Sequence, residues 1–198
     1  NVSTLIDRLQ RIVRKNKIMK KAVQQMKSNL ISTHIGEITP FIPRRSEVDN
    51  LRFNLLVPSI NKEHLFGGIS TAIKFFEELA SQGIEKRIIL MDAAPASEDL
   101  VRFKEYKLVS AQDDPTYVAQ IIPFNDRYQK TIPVRKSDIF IATAWWTAYH
   151  AQRVAEWQEK EYQQYKRNTV IYFIQDYEPC FYPWSSQSIL AESTYRYE

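Results

Sequence analysis

The chain contains 198 residues, of which 44% are hydrophobic and 25% are charged, enough for one full core or two small ones. No stretch approaches the roughly 20 apolar residues that cross a bilayer, and the amino terminus lacks the apolar segment of a secretory signal. A single cysteine, Cys180, excludes an internal disulfide and a thiolate zinc cage, which fits a reducing compartment.

Positive charge is concentrated in the first 30 residues, which hold eight Lys or Arg and one acid. The remaining 168 residues hold 19 basic and 22 acidic residues, so the pI of 9.0 comes from this basic head. A body of nearly neutral charge argues against a uniformly basic nucleic-acid-binding domain. We therefore expect no nucleic-acid partner.

The basic head predicts one amphipathic helix over residues 4–30. Thr4 and Asp7 have the spacing of a capping box. Apart from Asn16, the positions four and three apart are apolar: Leu5, Leu9, Ile12, Met19, Val23, Met26 and Leu30. Such a helix packs on the body or on a partner helix, or it lies on an anionic membrane surface. Residues 31–50 are expected to be a connector.

From residue 51 onwards, predicted strands and helices alternate. Apolar runs predict strands at 51–60, 87–93, 137–144 and 169–175, the last two fully buried. Amphipathic stretches predict helices at 69–82, 145–167 and 185–198. Gly83 is expected to cap the first of these helices.

The pattern between residues 94 and 135 is less regular. It predicts a short helix at 97–103, a strand at 107–111 and a helix at 114–122 that is capped near Asp114. The alternation as a whole predicts an α/β fold, a Rossmann-like parallel sheet with helices on both faces. Ligands of such sheets bind at the carboxyl ends of the strands. The loops after Ile60, Asp92, Ala144 and Gln175 are therefore the candidate sites.

The loop at residues 61–71, NKEHLFGGIST, contains two of the four glycines in the chain. Gly67 and Gly68 precede a helix, where free backbone N–H groups and the nearby Ser70 hydroxyl suit a phosphate or diphosphate. A tight turn without a ligand explains the glycines about equally well. A dinucleotide-binding G-x-G-x-x-G pattern is absent, although Asp92 lies near the expected acid, so an NAD enzyme is a weaker alternative.

The segment TAWWTAYH, residues 143–150, leads from a buried strand into a helix. Trp145 and Trp146 are adjacent, and we expect one of them to line the cleft, although packing explains both. His150, one helical turn later, is a further polar candidate. His34, His64 and His150 are far apart and lack the spacing of metal ligands, so no metal site is expected.

The segment YFIQDYEPCFYPW, residues 172–184, combines aromatic rings, two acids and two prolines. Asp176 follows a predicted strand, where it would act as a general base or acid, or accept hydrogen bonds from sugar hydroxyls. Aromatic rings beside carboxylates suit carbohydrates, because rings cover the C–H faces of a sugar. A rigid loop whose aromatics fill the domain edge is the structural alternative. Cys180 is expected to be a small buried filler.

Three strings carry a resemblance to a known family: RFNLLVPSINKEHLFGGISTAIKFFEELASQG, SDIFIATAWWTAYHA and YFIQDYEPCFYPWSSQS with AESTY. Over about residues 50–198 the chain resembles the amino-terminal half of a group of bacterial rhamnosyltransferases typified by WsaF, which act in surface-glycan assembly. The resemblance implies the GT-B fold, in which two Rossmann-like domains face each other across a cleft. The carboxyl-terminal domain of such enzymes holds most of the nucleotide-sugar site.

The resemblance also implies roles for individual residues. Gly67 and Gly68 would lie at the loop near the donor diphosphate, and Asp176 would lie in the cleft between the domains. We also expect Ser70 to contact the diphosphate and Asp176 to be the catalytic carboxylate. Related glycosyltransferases carry a His-Asp-like pair at this position, whereas this chain has Gln175 and Asp176. The expected acceptor-binding residues are His64, Trp145, Trp146, Tyr177, Glu178 and Tyr182.

We expect residues 1–50 to form the basic helix and connector and residues 51–198 to form the acceptor-binding domain. No second Rossmann-type sheet follows in this chain, so a carboxyl-terminal donor domain of the same enzyme is an expected partner and the fragment alone would be inactive. The expected donor is dTDP-L-rhamnose without a metal cofactor, and the acceptor a lipid-linked or oligosaccharide glycan. The expected location is cytoplasmic, at the inner face of the plasma membrane. A non-catalytic carbohydrate-binding module and a nucleotide-cofactor oxidoreductase are the alternatives.

Overall fold

The computed structural model describes residues 35–64, 67–81 and 83–197. The helix predicted at residues 4–30 lies outside this part of the chain. The described residues from Glu37 onwards belong to one compact unit. In chain order its strands are β1 (Ile42–Arg45), β2 (Arg52–Val57), β3 (Glu85–Leu90), β4 (Lys107–Leu108), β5 (Ala119–Pro123), β6 (Thr131–Val134), β7 (Asp138–Ala142) and β8 (Val170–Tyr172).

Two sheets are formed by these described strands. Six of the strands pair in the order β4-β5-β3-β2-β7-β8, and β1 pairs separately with β6. Every pair is parallel. The Rossmann-like parallel sheet that the alternation of elements predicts is therefore confirmed.

Helices cover both faces of the six-stranded sheet. Among the described residues they are α1 (Gly67–Leu79), α2 (Trp145–Glu161) and α3 (Ser186–Thr194). Successive residues of β2 point to opposite faces. Leu55 packs in the cluster that includes Phe76 of α1, whereas Leu56 packs in the cluster that includes Val154 of α2. Burial of both faces explains why the central strands have continuous apolar runs.

The amino ends of the central strands bury a network of charged side chains. Arg52 donates to both carboxylate oxygens of Asp138, from Nε at 2.8 Å and from Nη2 at 2.7 Å. Arg87 Nη2 lies 3.5 Å from the same carboxylate. Burial raises the pKa of Asp138, but the guanidinium groups of Arg52 and Arg87 outweigh burial and hold that pKa below its usual range. This network lies at the end of the sheet opposite to the expected ligand-binding edge.

Several predicted elements differ from the structure. The helix predicted at 114–122 is wrong, because residues 119–123 form β5 in the interior of the sheet. Residues 42–45, assigned to the connector, form β1. The strand predicted at 169–175 is shorter and lies at the sheet edge, where its residues are half-buried. The helix predicted at 145–167 ends at Glu161.

The ends of the other two predicted helices also shift. Helix α1 begins at Gly67 and ends at Leu79, and α3 ends at Thr194. Gly83, predicted as the cap of the first helix, has a φ of 75°. This left-handed conformation favours glycine, so Gly83 turns the chain towards β3. None of the helices among the described residues is long and apolar enough to cross a membrane.

Candidate functional site

The order of strands changes direction between β2 and β7. From β2 the chain proceeds through β3 towards one edge, and β7 and β8 then lie on the other side of β2. The carboxyl ends of β2 and β7 therefore flank the topological switch point, where parallel α/β sheets bind ligands. Only Thr143 and Ala144 separate β7 from α2, so the first turn of α2 lies at this position.

The loop after β2 brings the predicted glycine pair to the same edge. Residues 62–64 form a 3₁₀ turn, and Gly67 and Gly68 are the first residues of α1. The Thr71 hydroxyl donates to the Gly67 carbonyl at 2.7 Å, a bond within the helix. His64 is exposed, and its Nδ1 lies 3.4 Å from the Ser59 hydroxyl.

Gly68 lies against the loop that follows β8. A Cβ atom on Gly68 would lie 1.4 Å from Oε1 of Gln175 and 2.2 Å from its Cδ. Gln175 directly precedes Asp176, so the structure brings together two loops that the sequence separates by more than a hundred residues. A Cβ atom on Gly67, in contrast, would meet no atom within 4 Å.

Tyr195, which follows α3, fixes the backbone on either side of Tyr177. Its hydroxyl donates to the Asp176 carbonyl at 2.6 Å and accepts from the Glu178 N–H at 3.0 Å. Its ring centroid also lies 5.1 Å from that of Tyr177. The Asp176 side chain itself is exposed. The predicted carboxylate is therefore accessible to a ligand on a loop whose main chain is held in place.

Glu178 contacts the first turn of α2. Its carboxylate accepts a hydrogen bond from the Trp145 backbone N–H at 2.5 Å. Burial raises the pKa of Glu178 to about 7; that N–H lowers it and the neighbouring Asp176 charge raises it further. A carboxylate at this position also interacts favourably with the helix dipole. Glu178 thus ties the loop between β8 and α3, residues 173–185 (the Asp176 loop), to α2, and its pKa lies near neutral pH.

The adjacent tryptophans have different environments. Trp145 is fully buried, and its indole N–H donates to the Tyr182 hydroxyl at 3.0 Å. Trp146 is partly exposed, with its ring centroid 5.8 Å from that of Trp145 in an edge-to-face arrangement. Trp146 is therefore the tryptophan that can face a ligand, whereas Trp145 supports the loop through Tyr182.

Asp92, which follows β3, is a further candidate for the site, and its environment could not be read from the sequence. It stands at the surface, but the protein atoms around its carboxyl desolvate it and raise its pKa to about 6. The Arg127 guanidinium, the Trp146 indole N–H and the charge of His64 act in the opposite direction. Asp92 thus shares the switch-point edge with two of the predicted acceptor-binding residues. The signal in the sequence was an acid directly after a buried strand.

The segment around Glu37 is fixed over the carboxyl ends of the strands. Buried Arg127 donates to the carbonyls of Met91 at 2.6 Å, Thr39 at 2.9 Å and Glu37 at 3.0 Å. His150 Nε2 donates to the same Glu37 carbonyl at 2.8 Å. Burial lowers the pKa of His150 to about 4, so its ring is neutral at pH 7. His150 is a structural residue under the site and is not exposed to a ligand.

Comparison with known families decides the identity. A family model described as "WsaF, N-terminal domain" matches residues 52–198. The chain belongs to the WsaF family. This places it among glycosyltransferase-related proteins. No curated protein matches the chain.

The Asp176 loop of this WsaF-family domain also exposes apolar side chains. The most exposed are Ile174, Tyr177, Phe181 and, at 84% exposure, Trp184. Cys180 is exposed as well, so its predicted role as a buried filler is wrong. The local reason is the 3₁₀ turn at Glu178–Phe181, which buries Pro179 and leaves the neighbouring Cys180 and Phe181 outside.

Within residues 35–64, 67–81 and 83–197, no group of three or more His, Cys, Asp and Glu side chains is arranged to hold a metal ion. The acids at the switch-point edge instead lie beside aromatic rings and backbone N–H groups. The oxygens of such carboxylates can accept hydrogen bonds from hydroxyl groups.

Proposed function

We propose that this chain is the acceptor-side, amino-terminal domain of a glycosyltransferase that transfers L-rhamnose from dTDP-L-rhamnose to a growing bacterial surface glycan. The observation that carries the proposal is the contact between Gly68 and Gln175. It brings the start of α1, which suits a diphosphate, to the loop that carries the exposed residue Asp176. Membership of the WsaF family supports the same reaction class.

The donor diphosphate would bind at the amino end of α1. The first backbone N–H groups of a helix have no partner within the helix and carry a partial positive charge. Around Gly67, open space remains for an oxygen to approach the backbone. Ser70 lies in the same first turn and offers a hydroxyl. These groups would stabilise the negative charge that develops on the leaving diphosphate, and the proposal includes no metal cofactor.

Asp176 would orient the acceptor hydroxyl or accept its proton as the new glycosidic bond forms. Its carboxylate is exposed, while Tyr195 holds its carbonyl. Trp146 and Tyr177 present accessible ring surface for the C–H faces of sugar units. His64 and Glu178 supply polar groups at the same edge, and Trp145 and Tyr182 shape the groove from below.

The exposed apolar residues of the Asp176 loop suit a protein partner. Phe181 and Trp184 are 65% and 84% exposed, which is unusual for large apolar side chains. The partner would be the carboxyl-terminal donor domain of the same enzyme, and without it the chain would not turn over. The basic head would attach the enzyme to the anionic inner face of the plasma membrane, where a lipid-linked acceptor is found.

A non-catalytic carbohydrate-binding module is the second candidate. The exposed rings of Tyr177 and Trp184 favour it, because stacking on sugars requires no diphosphate site. The two candidates differ in the role of Asp176. A glycosyltransferase would need its carboxylate for catalysis, whereas a binding module that stacks sugars on aromatic rings would not.

Substitution of Asp176 in the complete enzyme separates the two candidates. Asp176→Asn preserves size and hydrogen-bonding ability but removes the negative charge. We expect transfer from dTDP-L-rhamnose to fall by at least about a hundredfold, while acceptor binding changes little. Asp113→Asn is the matched control, because Asp113 is an exposed acid in the loop between β4 and β5. Near-normal transfer by Asp176→Asn would remove Asp176 from catalysis.

A further inference from the structure

Gly68 leaves space that a neighbouring side chain occupies. Its backbone is helical, a conformation that alanine adopts readily, so backbone freedom does not require glycine here. A Cβ atom would instead collide with Gln175, at 1.4 Å from Oε1, 2.2 Å from Cδ and 3.0 Å from Nε2. The absent side chain of Gly68 therefore creates the space that the Gln175 carboxamide occupies.

Gln175 is exposed to solvent, and its carboxamide contacts Gly68 in the first turn of α1. A second contact between the Asp176 loop and α1 joins the rings of Phe75 and Phe173, whose centroids are 5.5 Å apart. The other side of the loop is held by different elements: Glu178 bonds to the first turn of α2, and Tyr195 bonds from beyond α3. Asp176 thus lies between Gln175, which contacts α1, and Glu178, which bonds to α2 and to Tyr195.

We propose that Gln175 is a positioning residue whose carboxamide, packed against Gly68, fixes Asp176 relative to the first turn of α1. This inference rests on the proposed function, because it joins the diphosphate-binding end of α1 and the acceptor carboxylate into one unit. The far end of a flexible side chain moves more easily than a backbone. A methyl group at position 68 would therefore displace the Gln175 side chain, and the displaced side chain would in turn shift Asp176.

A double-mutant cycle in the complete enzyme tests this coupling. We expect Gly68→Ala and Gln175→Ala each to lower kcat about tenfold, because a misplaced catalytic group reacts slowly. The double variant should be no slower than Gln175→Ala alone. Losses that multiply in the double variant would overturn the proposal, because Gly68 would then act independently of Gln175.

Gln175→Met separates positioning from direct contact with substrate. Methionine has nearly the same length and flexibility as glutamine but lacks the amide. We expect this variant to retain kcat within about threefold, because its side chain still fills the space beside Gly68. A loss as large as that of Gln175→Ala would show that the amide acts on the substrate itself, contrary to the proposal.

Hydrogen–deuterium exchange of the same complete proteins supplies a readout that needs no substrate. We expect faster exchange at residues 173–183 in Gly68→Ala and Gln175→Ala, and exchange like that of the unaltered protein in Gly67→Ala, whose added methyl meets open space. Unaltered exchange in Gly68→Ala would overturn the proposal. Hydrogen–deuterium exchange needs no donor sugar, so it decides the role of Gln175 even if the enzyme does not use dTDP-L-rhamnose. A failure of the proposed function can therefore be told apart from a failure of the proposed role of Gln175.

Discussion

Replacement of Glu178 by glutamine tests whether burial or helix capping dominates at the base of the Asp176 loop. Burial raises the pKa of Glu178 from 4.5 to about 7. Each pKa unit corresponds to about 1.4 kcal/mol, so the ceiling on the cost of ionising this group in the folded protein is about 3 kcal/mol. Because the side chain is half-buried, solvent screening reduces the expected cost to about 1–2 kcal/mol.

The sign of the pH dependence follows from the raised pKa. Between pH 4.5 and 7 the folded protein keeps a proton on Glu178 that the unfolded chain has lost. The favourable contribution of protonated Glu178 to the free energy of unfolding is therefore complete below pH 4.5 and is lost as the pH rises through 7. Glutamine carries no charge at any pH, and its Oε1 can still accept from the Trp145 N–H.

We therefore expect Glu178→Gln to match the unaltered chain in stability at pH 4.5 and to exceed it by about 1–2 kcal/mol at pH 8. Urea unfolding at the two pH values measures the difference. Glu98→Gln, at an exposed position, controls for the loss of one negative charge. A Glu178→Gln variant that is less stable than the unaltered chain at pH 8 would refute the reasoning, because the charge at the start of α2 would then outweigh burial.

Two further predictions concern buried titratable side chains. Asp138→Asn should destabilise the fold by about 3 kcal/mol, because it leaves the buried Arg52 and Arg87 without their carboxylate; urea unfolding measures the loss, and a change below about 1 kcal/mol would contradict the account. His150, with a pKa lowered to about 4, should cost stability as the pH falls through 6.5 to 4, since the unfolded chain binds a proton that the folded chain does not. His150→Gln can still donate to the Glu37 carbonyl but does not titrate, so its unfolding temperature should fall less between pH 6.5 and pH 4. An equal fall in the variant and the unaltered chain would argue against a buried neutral ring.

The central strands could be predicted because their sequences carry a strong local signal. The apolar runs of β2, β3 and β7 reflect burial on both faces, which is the general property of interior parallel strands. The error at residues 114–122 has a physical cause. Asp114 and Pro115 resemble a helix start, but the β-branched Ile121 and Ile122 are buried in the sheet beside β3. Tertiary pairing overrides the local signal there.

Strands β1 and β6 were not predicted from the sequence, because each contains a proline. Pro43 and Pro133 resemble strand breakers, since proline lacks the N–H of a sheet ladder. In the structure both lie in the separate two-stranded sheet, where each strand has a neighbour on one side only. Proline is tolerated in such edge strands, and a sequence alone does not reveal which strands lie at an edge.

The candidate site was predictable at the level of loops but not of contacts. The rule that ligands bind at the carboxyl ends of parallel strands identifies the loops that contain Gly68 and Asp176. The contact between Gly68 and Gln175 depends on how β8 and α1 pack, which no local pattern encodes. Likewise, the adjacency of Trp145 and Trp146 indicates that they differ in burial, but only packing determines which ring is exposed.

The proposed function is tested most directly by assaying rhamnose transfer with a full-length protein that contains this domain. The enzyme is incubated with dTDP-L-rhamnose and a glycan acceptor, and the product is analysed by mass spectrometry. We expect an acceptor heavier by one deoxyhexose unit, formed together with free dTDP and only when Asp176 is intact. Binding of the acceptor without transfer from any nucleotide sugar would contradict it and would favour a carbohydrate-binding module.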